Sequence, residues 1–150
     1  DGGQLPKTAL QTRATWTLIA VAALSAAAAG CVVYIGPQVW WDNDAVRLTV
    51  TFLLLAALCV YLAFTIGVRS LEQRGEGAFD ERDSLIMSRS CTGVGGAMMA
   101  VIAVWMMGLT ETHIETHLIP SYFLYLMFWS CVMTNVIASL AGILLAYRRA

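Results

Sequence analysis

The sequence predicts an all-α integral membrane protein, a bundle of four transmembrane helices. Three observations carry that prediction. The 150 residues are 59% hydrophobic and only 13% charged, about half the charge of an ordinary soluble domain, and the mean hydropathy is +0.70. Four apolar stretches, about 15–35, 48–68, 91–109 and 122–147, each match the roughly 20 residues that a helix needs to cross a hydrocarbon core. No ten-residue alternating pattern of barrel strands occurs, and backbone in lipid must satisfy its own hydrogen bonds, so the stretches read as helices. The same composition excludes a soluble globular enzyme, a disordered tail and a nucleic-acid module, because the net charge is −1 and no basic patch is present.

The first stretch follows Lys7 and Arg13 and contains Ser25–Cys31, a run of small residues with the outline of a signal-peptide cleavage site. We read it as a retained helix, and the opening on Asp1 rather than Met implies residues before it or processing. The turn after it, Asp42-Asn43-Asp44, reads as a solvated cap for the second helix, whose apolar run carries no charge at all. The third stretch crowds Met98, Met99, Met106 and Met107; adaptable packing explains them better than a copper relay. Cys31, Cys59, Cys91 and Cys131 fall one per stretch with no CxxC pair, which suits small packing residues.

Lipid removes most of the hydrophobic drive between helices, so close backbone approach and polar side chains must hold them together. Small residues recur at four-residue spacing: Ala22, Ala26 and Gly30 in the first stretch; Gly93 with Ala97 and Gly96 with Ala100 in the third; Ala138, Gly142 and Ala146 in the fourth. These are expected to mediate tight packing within one chain or between copies. Asn135, in the middle of the fourth stretch, is expected to make an interhelical hydrogen bond.

Basic residues set the orientation. Lys7, Arg13, Arg69, Arg74, Arg82, Arg89, Arg148 and Arg149 flank one side and Arg47 alone the other, which places both termini and the central loop in the cytoplasm. In that loop the second helix is expected to run on to about Arg74 and stop at Gly75 or Gly77. Asp80 then suits an N-cap, with Glu81 and Asp83 in a first turn where the helix dipole favours negative charge. Helices 2 and 3 would thus project into the cytoplasm.

The run Asp80-Glu81-Arg82-Asp83, followed by Ile86 and then small residues entering a span, resembles the domain-of-unknown-function families of small prokaryotic membrane proteins that carry a D-E-R-[DE]-x-x-I signature between their second and third helices. The resemblance covers the loop and the four-helix layout. It implies a multi-pass protein of the prokaryotic cytoplasmic (inner) membrane, and it carries over no catalytic residue. The motif itself reads as a capped helix start with salt bridges, or as a docking surface formed by Asp80, Glu81, Arg82 and Asp83.

On the opposite side, Glu111, His113, Glu115 and His117 form the most chemically loaded segment. If helical, His113 and His117 share one face at i and i+4, and with Glu115 they offer imidazole and carboxylate ligands that suit zinc or copper. The plainer reading is a polar interfacial turn ended by Pro120. Trp40, Trp41, Tyr122, Phe123, Tyr125 and Trp129 gather on the same side, as an aromatic belt or as the lining of a quinone-headgroup groove.

No Asp, Glu, Lys, Arg or His lies near the middle of any stretch, and proton relays, ion-coupled transport and voltage sensing normally need one there. The leading expectation is therefore a non-enzymatic accessory or assembly subunit that binds other membrane subunits, or a bundle that self-associates through Gly93, Gly96 and Asn135, with no cofactor. The alternative is a metal- or quinone-binding protein using His113, His117 and Glu115. A small oligomeric transporter ranks third.

Overall fold

The computed structural model describes residues 9–36, 39–74, 81–113 and 119–149, with side chains placed for 10–36, 39–70, 94–113 and 119–148. Among the described residues only Gly36, Asn43, Ile119 and Pro120 lie outside helices. The elements are α1 (Ala9–Ile35), a single turn α2 (Val39–Asp42), α3 (Asp44–Arg74), α4 (Glu81–His113) and α5 (Ser121–Arg149). Four of them are long and apolar enough to cross a membrane, over Leu10–Ile35, Asp44–Ser70, Val94–His113 and Ser121–Arg148.

The helices are longer than the apolar runs that announce them. The second starts at Asp44 rather than near 48, and α4 extends through Glu111 to His113, where the sequence suggested a loop from Thr110. Hydropathy marks what lipid tolerates, whereas a helix continues until its backbone bonds are interrupted. Gly36 supplies one interruption. Its φ of +91° is the left-handed conformation that closes a helix cheaply only at glycine, and its N–H returns to the Val32 carbonyl at 3.0 Å. Asn43 supplies the next start: its Oδ1 accepts from the backbone N–H groups of Ala45 (3.1 Å) and Val46 (3.4 Å), the N-cap expected of this turn. In the central loop α3 does reach Arg74 and α4 does start at Glu81. Asp80 lies outside the described residues, as do the side chains of Glu81, Arg82, Asp83 and Gly93, so the docking and cap contacts read from them do too.

Packing runs as a row rather than a closed ring. Helix α1 lies between α3 and α5, while α4 leans on α5. The buried seam is regular. Helix α5 contributes Trp129, Met133, Val136, Leu140 and Ile143, and α1 contributes Leu10, Ala14, Val21 and Ala28. Alternating steps of three and four on α5, and steps of seven on α1, keep a 3.5-residue period, the spacing of left-handed knobs-into-holes packing. Val50, Leu54, Ala57, Phe64 and Val68 complete the core from α3. The small residues that let these backbones approach are Ala14, Ala28 and Ala57, all essentially buried. The expected Ala22, Ala26 and Gly30 instead face outward, as do Gly96 and Ala100. A Cβ added at Gly30 or Gly96 would meet nothing within 4 Å, so neither glycine mediates a close approach among the described residues.

Candidate functional site

Three regions collect the chemistry. The first is the end of the molecule where α2 folds back over the helix row. Trp40 is fully buried (0% exposed) and Trp129 nearly so (8%), with ring centroids linking Trp40 to Trp41 at 5.5 Å and to Tyr125 at 5.7 Å, and Tyr125 to Trp129 at 6.3 Å. The Tyr125 hydroxyl and Thr51 Oγ1 are hydrogen-bonded at 2.5 Å, tying α5 to α3. These rings therefore pack on one another as an aromatic cap, because stacking them buries large apolar faces against each other. Arg47 is tied into the cap. Its guanidinium donates to the Trp41 carbonyl (2.8 Å) and to Asp44 Oδ1 (2.6 Å) and sits 5.4 Å from the Trp41 ring centroid. The Trp40 indole N–H is buried without a hydrogen-bond partner among the described residues.

The second region is a groove of about 300 Å³ where α4 stands off α1, lined by Ser25, Val32, Leu54, Trp105, Trp129 and Met133 among others. Its polar atoms are consumed internally. Ser25 Oγ donates to Met133 Sδ at 3.3 Å, and Trp105 Nε1 donates to Ser130 Oγ at 2.7 Å. The walls left to a visitor are apolar.

The third region is the outward face of α5, and here the sequence expectation needs correction. Asn135 sits mid-span but makes no interhelical hydrogen bond among the described residues: it is exposed, and its Oδ1 receives only a long 3.4 Å contact from Ser139 Oγ of the same helix. The side-chain nitrogen has no partner among the described residues. The reason is register. The seam spacing that buries Met133, Val136 and Leu140 rotates position 135 to the far side of the helix. Cys131, Ala138, Ser139 and Gly142 follow at three- and four-residue steps from Asn135 and are only half-buried, and the Cys131 thiol is free. A small, polar stripe with one amide thus lies on the outward face of a helix apolar enough to cross a membrane.

No family model, curated protein or solved structure matches this chain. The site is accordingly read from its own chemistry, and the signature beginning at Asp80 rests on the sequence resemblance alone.

Of the two histidines, His113 closes α4, with its Nδ1 2.7 Å from Thr112 Oγ1 and its ring edge-on to Phe123 at 5.3 Å. Glu115 and His117 lie outside the described residues. Among the described residues no three His, Cys, Asp or Glu side chains gather as metal ligands. What sequence reasoning missed was the aromatic cap and the Ala14–Ala28–Ala57 seam. The seven-residue steps of Ala14, Val21 and Ala28 were the available signal for the latter.

Proposed function

We propose that this chain is a non-enzymatic integral membrane subunit that works by lateral association, its α5 face docking against a transmembrane helix of a partner subunit or of another copy. The observation that carries this reading is Asn135. An amide in mid-span with no partner for its nitrogen is costly against hydrocarbon, and interhelical hydrogen bonds between such groups are worth about 0.6 kcal/mol on average and up to about 1.7. Neighbouring Ala138, Ser139 and Gly142 leave room for a second backbone, as helix–helix contacts in lipid require. In a pair related by an axis along the membrane normal, Asn135 of each copy lies at the same depth, and an amide is both donor and acceptor, so the contact is self-complementary. Gly96 and the Ala22–Ala26–Gly30 face of α1, unused within the chain, supply further association surface. The eight of nine cations that flank one side support an orientation with both termini and the central loop in the cytoplasm, and the resemblance of the run at Asp80 implies a prokaryotic inner membrane.

Native mass spectrometry after mild extraction tests this. The expected result is a complex, either multiples of 16.3 kDa or these with other membrane proteins attached, that weakens about threefold or more in Asn135→Leu. Oxidative cross-linking through the native Cys131 separates the two forms: a dimer band that disappears in Cys131→Ala indicates copies meeting on α5. Unchanged association in Asn135→Leu, Gly142→Leu and Gly96→Leu would refute the reading. A bound zinc or copper ion that vanishes in a His113→Ala, His117→Ala double variant would move the function to the outer loop instead.

A further inference from the structure

At the end of the molecule opposite the aromatic cap, α1 and α3 enclose a cleft of about 290 Å³ lined by Thr12, Arg13, Trp16, Thr17, Phe64 and Gly67, together with Ala63. Arg13 reaches across it: Nη1 lies 4.0 Å from where a Cβ on Gly67 would sit, so the guanidinium lies against α3 at van der Waals distance. Arg13 has no ion-pair partner among the described residues, in contrast to Arg47, which is bonded to Asp44. The threonines differ in the same way. Thr15 ties its hydroxyl back to the Gln11 carbonyl at 2.8 Å, while Thr12 and Thr17, which line the cleft, make no such bond among the described residues. Trp16 is 67% exposed beside them.

The charge of the two ends is also unequal. Of the charged side chains placed in the structure, Arg13, Arg69 and Arg148 sit at this end, and Asp42, Asp44 and Glu111 sit at the other with Arg47. A cation with free donors, two hydroxyls and an indole at the level where a span leaves the hydrocarbon is the chemistry of a lipid phosphate site. Arginine presents a planar fork to phosphate oxygens, tryptophan prefers headgroup depth, and basic pockets between transmembrane helices bind anionic headgroups. We propose that this cleft binds the phosphate of an anionic phospholipid, with Arg13 as the principal ligand and Thr12 and Thr17 as hydroxyl donors. A free phosphate offers the same oxygens, but the flanking Trp16 and the apolar floor at Phe64 favour a headgroup whose acyl chains continue along the α1–α3 surface.

The test is native mass spectrometry of the full chain from mixed micelles of phosphatidylglycerol or phosphatidylcholine, reading retained lipid. The expected result is a preference for phosphatidylglycerol of about tenfold, the scale of one charge-assisted contact, that is lost in Arg13→Gln and kept in Arg148→Gln. Gly67→Leu, which places side-chain atoms where the guanidinium lies, removes the preference without removing the charge and reads the site should Arg13→Gln fail to insert. Equal retention of the two lipids, a preference unchanged by both cleft variants, or loss only in Arg148→Gln would overturn the proposal. Displacement of the lipid by millimolar inorganic phosphate would also overturn it, assigning the cleft to a soluble anion.

Discussion

Helices α4 and α5 sit side by side and both are apolar enough to cross a membrane, yet they are held very differently. Over an 18-residue apolar window, 28% of α5 is buried inside the protein and 6% of α4. Helix α5 carries a continuous 3.5-period seam of large residues against the rest of the core, and its N-terminal end is roofed by the Trp40–Tyr125–Trp129 rings. On α4 the described residues turned inward include Val94, Ala97, Met98, Val101 and Trp105, all only half-buried, and Leu109 is the one that is buried. Of its four methionines in the span, Met98 is half-buried and Met99, Met106 and Met107 are exposed, so only Met98 takes the packing role expected of them inside the described residues. Hydropathy places a helix in the membrane, but the regularity of its seam decides whether it is locked to its neighbours.

This contrast can be broken from either side. The largest effect is expected in the aromatic cap. Trp40→Ala empties a fully buried site and removes two ring contacts, which should cost about 3 kcal/mol in reversible unfolding from mixed micelles. Next comes the seam itself. Leu140→Ala should cost about 2 kcal/mol, the low end for emptying a core position, because lipid removes the water-transfer part and leaves only the lost packing. Trp105→Phe deletes the 2.7 Å bond to Ser130 and should loosen α4 by about 1 kcal/mol; the readout is faster amide exchange along α4 with α1 unchanged. Smallest is Met106→Ala on the exposed face of α4, expected within about 0.5 kcal/mol of the parent. A cost for Met106→Ala equal to that for Leu140→Ala would show α4 buried against something, as a subunit engaged by a partner would be.

Much of this was legible from residues alone, but unevenly. The four spans, the cap at Asn43 and the continuation of the second helix to Arg74 follow from local rules of hydropathy and termination, and the structure has them. The small-residue stripes were legible as motifs for packing within the chain or between copies, and the outward turn of Ala22, Ala26, Gly30, Gly96 and Ala100 leaves the second of these for them, because alanine and glycine at four-residue spacing name a face without naming what covers it. Asn135 shows the same gap. Its depth in the span is a matter of counting, but its direction depends on which of its neighbours the seam buries.

Composition and spacing therefore determined by themselves that the described residues are all-helical, that four helices are long and apolar enough to cross a membrane, and how unequally charge is divided between the two ends. Each of these depends on one residue and its near neighbours in sequence. The tertiary structure decided the row order α3–α1–α5–α4, the inward turn of the aromatic rings, the outward turn of Asn135 and the meeting of Arg13 with Gly67. Those depend on the rotation of one helix against another. In lipid that rotation is set by packing and polar contacts between distant segments, since an apolar side chain gains little by facing one neighbour rather than the bilayer.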